Sequence, residues 1–386
     1  MSLDDDARAA LAALQAAGRW RARRTRTSSL AETVTLTSGA TLIDFASNDY
    51  LGLSAHPALA AAAAEAAARY GSGAGASRLI IGDTGAHASL ERALADWLGA
   101  PAVLSTATGY AANVGVVATL AGPDAVVFSD ELNHASIIDG CRLGRAPVIV
   151  YRHGDLTDLA TKLAAAPTGR RIVISESLFS MDGDIVDVAG LAALCTRHQA
   201  TLVLDEAHAV GVVGPNGRGV AAEVGVRPDI LVGTLGKAFG SAGAFVASSG
   251  AVIDWLWNRA RPVVFSTGIA PPVAASSEAA LGIVASSEGD RLRQRLRAAG
   301  ARVRGGLGLA DAALGSPIVP IVVGDDRAAV ARSEALEATG LLVPAIRPPT
   351  VPVGTARLRV SLSARHTDEQ LTALLAALGE RTSRMR

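Results

Sequence analysis

The chain almost avoids lysine. Lysine and arginine together number 36 among its 386 residues, and only Lys162 and Lys237 are lysine. Arginine replaces lysine as a surface cation but not as an amine nucleophile, because a guanidinium keeps its proton inside a protein. Cysteine is equally scarce. Cys141 and Cys195 stand far apart and form neither a disulfide framework nor a metal-type spacing, so a reducing, cytoplasmic setting is expected. No charge of either sign dominates, since 36 acidic residues balance the 36 basic ones; this excludes the basic stripe of a nucleic-acid binder. No apolar run reaches membrane-spanning length, and the Ala60–Ala64 run has charge close by. The beginning of the chain carries Asp4, Asp5 and Asp6 in place of an apolar core, so no secretory signal is expected. A GxxxxGK[ST] phosphate loop is missing, as is an HExxH helix, and no metal site is expected.

What remains is an apolar, glycine-punctuated stretch, Asp229-Ile-Leu-Val-Gly-Thr-Leu-Gly-Lys-Ala-Phe-Gly, with Lys237 between Gly236 and Gly240. Desolvation lowers a lysine pKa, and the neutral amine then attacks a carbonyl to form a Schiff base. The plain alternative is a lysine left on a loop.

From about residue 100, short apolar runs alternate with helical patterns. Candidate strands are 102–105, 125–129, 147–151, 172–175, 201–204, 230–232 and 244–247. This alternation predicts right-handed βαβ units in an α/β fold with a mostly parallel sheet covered on both faces. The last pair lies close across the lysine loop, which leaves room for one antiparallel strand. Ahead of the sheet come an alanine-rich helix, an arginine cluster (Arg19, Arg21, Arg23, Arg24, Arg26), a hairpin around Ser38-Gly39, a polar turn Ser47-Asn-Asp-Tyr-Leu-Gly-Leu, and a helix over 57–70. The arginines suit either a solvated basic arm or an anion contact. The glycine loop 71–78 follows a helix rather than a strand, which makes it a poor dinucleotide fingerprint. After about 280 the pattern changes to a basic helix, a strand over 318–323, a helix over 327–340, the alternating Arg357-Leu-Arg-Val-Ser-Leu-Ser, and a final helix. The expected organisation is an arm and hairpin over 1–46, a large domain over 47–280 and a small α+β domain over 281–386.

In such sheets the ligand crevice lies beyond the carboxyl ends of the strands, so the residues following those ends should meet. They are Thr108-Gly-Tyr-Ala-Ala-Asn113 opening a helix, Asn133-His-Ala-Ser136, Glu176-Ser-Leu-Phe-Ser-Met-Asp-Gly183, Asp205-Glu-Ala-His208, and Lys237. Backbone N–H groups at a helix start suit a phosphate. An aspartate closing an apolar strand needs a cationic partner, and a pyridinium nitrogen is one. A lone histidine is more often structural. Asp205-Glu-Ala-His208 also spells a helicase box, but that reading lacks its phosphate loop. Phosphate cradle, strand-end aspartate, histidines and nucleophilic lysine together are what pyridoxal 5'-phosphate requires. The two arginines of Arg357-Leu-Arg359 share one strand face, suited to a bidentate carboxylate clamp or to a solvated edge.

These motifs, with Thr234-Leu-Gly-Lys-Ala-Phe-Gly240, resemble the α-oxoamine synthases among the fold-type I pyridoxal-phosphate enzymes, over about residues 19–366. The resemblance implies the fold-type I architecture, a large domain with a mostly parallel seven-stranded sheet plus a smaller C-terminal α+β domain. It implies an acyltransferase that condenses an amino acid with an acyl-CoA and loses CO2. The segment 345–359 is most similar to the branch that makes 8-amino-7-oxononanoate for biotin from L-alanine and pimeloyl-CoA or a pimeloyl carrier protein; a sister activity with glycine and acetyl-CoA is the alternative. Lys237 would tether the cofactor aldehyde and move the Cα proton, Asp205 pair with the ring nitrogen, His134 stack on the ring, and His208 and Ser180 meet its hydroxyl side. Gly109, Tyr110 and Thr234 would hold the phosphate, with Ser266 and Thr267 coming from the partner in a homodimer with shared active sites. Arg359 and Asn48 would take the amino-acid carboxylate, and Arg21 or Arg23 with Thr350 would face the acyl group. Relatives often carry serine where Thr108 and Gly236 stand; Gly236 removes a hydroxyl.

Overall fold

Each of the seven apolar runs forms a strand, and all seven join one sheet. The computed structural model describes residues 2–167, 169–310 and 312–382, so the outer limits 1 and 386 of the expected domains lie outside it. The central strands are β3 (Ala102–Thr106), β4 (Ala125–Asp130), β5 (Val148–Tyr151), β6 (Arg170–Glu176), β7 (Ala200–Asp205), β8 (Ile230–Thr234) and β9 (Ala244–Ser248). They follow a hairpin of β1 (Thr33–Thr35) and β2 (Thr41–Asp44). The spatial order is β3-β9-β8-β7-β6-β4-β5. Only β9 runs against its neighbours, pairing antiparallel with both β3 and β8; this is the strand returning across the lysine loop.

The apolar content of these strands follows from cover on both faces. Every residue of β4, β8 and β9 is buried. Successive side chains point to opposite faces. Val126, Phe128, Val173, Leu202 and Leu204 therefore enter one core, and Val127, Ile172, Ile174 and Val203 enter the other. At the edge strand β5 the cover thins, and Val150 is 53% exposed. Both cysteines are buried thiols, and burial pushes Cys141 up to about 11 and Cys195 to about 12. Among the described residues no helix is long and apolar enough to cross a membrane.

A second sheet orders β10 (Ile318–Gly324), β13 (Ala356–Ser361) and β12 (Ala345–Ile346), with β13 central and antiparallel to both. In the hairpin, β2 pairs parallel with β11 (Leu341–Leu342) of the C-terminal part of the chain. The following turn is tied to the end of β13, since Ser361 N–H donates to Phe45 O and Ala364 N–H to Tyr50 O, each at 2.8 Å. Asp49 holds that turn closed by accepting from Leu53 N–H at 2.8 Å and Ser54 N–H at 3.0 Å.

The lysine loop rests on this turn. Gly240 has φ +63°, and a Cβ placed on it would lie 2.3 Å from Ser54 N. Backbone cannot retreat as a flexible side chain can, and a positive φ adds strain to any L side chain. Gly240→Ala should therefore cost roughly 1–3 kcal/mol, read as a lower urea midpoint at unchanged m-value. An unchanged midpoint would show that the loop packs elsewhere.

Candidate active site

The carboxyl ends of β3, β4, β6, β7 and β8 lie along one edge of the sheet, and the residues that follow them converge there. A cavity of about 630 Å³ is lined by Asn48, His134, Ser180, His208, Lys237, Thr350 and Arg359, among others. The two lysines separate cleanly. Lys162 pairs with Asp158 at 2.6 Å, one turn away on the helix Leu156–Ala164, whereas Lys237 points into the cavity wall with Nζ 2.9 Å from His208 Nε2.

Burial lowers Lys237 to about 8, opposed by the charges of Asp205 and Glu176 and assisted by Arg359. Burial also drives His208 well below the ordinary histidine value, and Lys237, Arg359 and His134 add to this. His134 is lowered by burial as well; Asp205 opposes that shift and Lys237 adds to it.

Asp205 lies behind the cavity wall, 5% exposed. Its Oδ1 accepts from Ala207 N–H at 2.8 Å and its Oδ2 from Asn113 Nδ2 at 2.7 Å. The same Asn113 amide donates to Ser136 Oγ at 2.9 Å, and Ser136 Oγ lies 2.7 Å from His134 Nδ1. Ser136 N–H also points at that nitrogen, at 3.2 Å, because His134 is the N-cap of the helix Ala135–Leu143. A backbone N–H can only donate. Nδ1 is therefore the acceptor, and neutral His134 carries its proton on Nε2.

Glu176 stands beside Asp205 in register, accepts from His134 N–H at 2.7 Å, and is raised to about 8 by burial and by Asp205. Asn113, Ser136 and Glu176 were in the quoted motifs without a role. Glu176 had a readable signal, since it closes β6 just as Asp205 closes β7. Asn113 had none, because its partners Ser136 and Asp205 lie 23 and 92 residues on, and Ser136 gains its link to Asp205 only through Asn113. Glu206, the second letter of the helicase-like box, is a structural anchor: its buried carboxylate accepts from Val220 N–H and Ala221 N–H at 2.9 and 2.8 Å.

Thr108 caps the helix Gly109–Leu120 by accepting from Ala111 N–H at 3.0 Å. A Cβ on Gly109 would come within 3.9 Å of Thr234 Oγ1, so this helix start and the end of β8 face one small space. Helix N–H groups and a threonine around a gap free of side chains suit a phosphate. A Cβ on Gly236 would also meet nothing nearer than Thr234 Oγ1, at 3.7 Å, so the hydroxyl missing there is not excluded by crowding. With the lysine amine and the Asn113-held carboxylate, these groups fit pyridoxal phosphate. The Tyr110 hydroxyl donates to Asp139.

Arg359 is buried. Its Nη1 donates to Asn48 Oδ1 at 3.0 Å and Ser361 Oγ at 2.8 Å, its Nη2 to Tyr50 Oη at 3.3 Å, and its Nε to Ser180 O at 2.5 Å. Arg357, two residues back on the same buried face, pairs with Asp182, so neither arginine is a solvated edge cation. Thr350 lines the cavity. Arg21 comes within 3.5 Å of Pro348 O, next to the lining residue Pro349. Neither Arg21 nor Arg23 lines the cavity itself, and nor do Ser266 and Thr267; Thr267 instead bridges Ser77.

A family model described as aminotransferase class I and II matches residues 40–378. The chain belongs to this family. Within the aminotransferase class I and II family its relatives place it among the α-oxoamine synthases. It is 50% identical over 389 residues to the 8-amino-7-oxononanoate synthase of Bordetella petrii, covering 98% of each chain. It is also 50% identical to that of Anaeromyxobacter dehalogenans, over 88% of this chain and 86% of the relative. Among solved structures it superposes on the serine palmitoyltransferase of Sphingomonas wittichii with TM-score 0.90 and 32% identity, covering 98% of both chains. With the 8-amino-7-oxononanoate synthase of Francisella tularensis the TM-score is 0.76 and the identity 28%, covering 89% of this chain and 98% of that one. The fold is thus the fold-type I transferase architecture.

The lowered Lys237 amine has a consequence for stability. Ordinary lysine titrates near 10.5 and this one near 8, so between those values the unfolded chain binds a proton that the folded chain does not. Stability then rises with pH across that window. Cofactor-free Lys237→Met should lack this rise and gain on wild type below pH 8; parallel stability–pH curves for the two proteins would reject the buried amine.

Proposed function

We propose that the protein condenses L-alanine with a pimeloyl thioester, pimeloyl-CoA or pimeloyl carrier protein, to give 8-amino-7-oxononanoate, the free thiol and CO2 in biotin synthesis. The observation that carries this reading is one cavity lined by both a desolvated lysine amine and the buried Arg359 guanidinium, in a chain 50% identical to 8-amino-7-oxononanoate synthases along 98% of its length.

Pyridoxal phosphate, when bound, draws electrons from the amino acid's Cα. The chain's residues do the rest. Lys237 would tether the aldehyde and, as a free amine, would take the Cα proton of alanine and later return one. Asp205, held in place by donation from Ala207 N–H and Asn113 Nδ2, would pair with the ring nitrogen. His134 would cover one ring face, and Ser180 and His208 would meet the ring hydroxyl side. The N–H groups of Gly109 and Tyr110 would hold the phosphate with Thr234, and Ser266 and Thr267 would reach it from a second copy in a homodimer. Arg359 takes the alanine carboxylate with Asn48 beside it. The acyl group lies toward Thr350, with its terminal carboxylate toward the N-terminal arm; Arg21, which reaches Pro348, suits that role better than Arg23. In the condensation a bond forms between Cα and the acyl carbon, the C–S bond breaks, and the alanine carboxyl leaves as CO2. The reading places the enzyme in the cytoplasm.

A CoA-release assay separates this activity from its sister: L-alanine with pimeloyl-CoA should be turned over at least ~10-fold faster than glycine with acetyl-CoA, and the reverse order would assign the sister reaction. Lys237→Ala should be colourless and inactive. Arg359→Lys loses the planar fork and should raise the KM for L-alanine at least ~10-fold; an unchanged KM would move the carboxylate site elsewhere.

A further inference from the structure

Tyr50 belongs to the polar turn that precedes the helix over residues 57–70. It is fully buried, and its hydroxyl sits at the centre of a chain of hydrogen bonds from Arg359 to Lys237. Tyr50 Oη lies 3.1 Å from Asn48 Oδ1, 3.3 Å from Arg359 Nη2 and 2.7 Å from His208 Nδ1, and His208 Nε2 lies 2.9 Å from Lys237 Nζ.

The proton positions follow from which groups can only donate. A guanidinium has no acceptor, so Arg359 Nη2 gives its proton to Tyr50 Oη and Nη1 gives one to Asn48, whose oxygen must face it. Asn48 Oδ1 and Tyr50 Oη are then two oxygens 3.1 Å apart. They attract only if the single phenolic proton lies between them. With that proton spent on Asn48, Tyr50 can only accept at His208 Nδ1.

We propose that Tyr50 is a positioning residue that holds His208 as the Nδ1–H tautomer, so that the bare Nε2 lone pair faces the Lys237 amine. The proposal rests on Lys237 being the reactive amine of the function proposed above. In that role Nε2 accepts from the ammonium formed each time Lys237 takes a proton and supports that charged state. The other groups acting on Lys237 are Asp205 and Glu176, which favour its charge, and Arg359, which opposes it; His134 also interacts with it. None of these depends on the tautomer of His208, so Tyr50 has an effect of its own to measure.

The composition makes the test direct, because the full chain has only two lysines to observe. Cofactor-free protein labelled with 13C at lysine Cε gives two signals, assigned by Lys162→Arg, and 15N-histidine labelling reports the tautomer of His208. Wild type should show a proton on His208 Nδ1. In Tyr50→Phe the imidazole loses its partner and turns to the Nε2–H form, and the Lys237 midpoint should fall by about one unit, a ~10-fold loss of proton affinity. A wild-type His208 protonated on Nε2 overturns the proposal, and it decides the matter even if the variant fails to fold. A folded Tyr50→Phe with unchanged tautomer and unchanged Lys237 midpoint overturns it as well. The CoA-release assay is independent: an active enzyme with the Nε2–H tautomer rejects only the role of Tyr50, and an inactive one with the Nδ1–H tautomer rejects only the reaction.

Discussion

The site depends on how far one amine can be taken out of water without losing its ability to ionise. Burial alone disfavours a charged lysine, and a lysine that never ionised could accept a proton only at a prohibitive cost. Here burial and Arg359 press Lys237 toward the neutral form while Asp205 and Glu176 press it back, leaving it near 8. That balance needs two carboxylates behind the amine and one guanidinium in front of it. The strand order supplies this: β6 and β7 end side by side in Glu176 and Asp205, β8 ends three residues before Lys237, and β13 carries Arg359 in from the second sheet.

Two chains of hydrogen bonds keep these charges in place. One runs from Asp205 through Asn113 and Ser136 to His134, the other from Arg359 through Tyr50 and His208 to Lys237. Each link satisfies a buried polar atom whose isolation would cost on the order of 1–3 kcal/mol. Each also sets a proton position, leaving His134 protonated on Nε2 and His208 on Nδ1. The same groups that make the interior soluble for polar side chains thus decide which nitrogen faces the cavity. The turn 47–53 is central to this arrangement, since it carries Asn48 and Tyr50, is tied to β13, and is the floor on which the lysine loop rests at Gly240.

Much of this was legible in one dimension. The period-two and continuous apolar runs marked all seven strands because a sheet covered on both faces tolerates little else, and the scarcity of lysine singled out Lys237. The Asp205 strand end and the helix start at Gly109 were visible because each places unusual polar groups at the limit of an apolar run. The resemblance to α-oxoamine synthases then rested on several short motifs read together. The partner of the hairpin was not legible: its pairing with β11 joins segments some three hundred residues apart, and no local pattern records such a partner.

The one-dimensional pattern was enough for the class of fold and for picking out Lys237 and the Asp205 carboxylate at its strand end, because strand periodicity and the chemistry of a side chain are local properties. It took the assembled fold to show that Glu176 shares the field of Asp205, that Asn113 and Tyr50 are links of the two proton-ordering chains, and that Arg21 reaches the proline segment beside the cavity. Hydrogen bonds are directional and span a few ångströms in space whatever their separation along the chain, so their partners are settled only when the strands have been brought together.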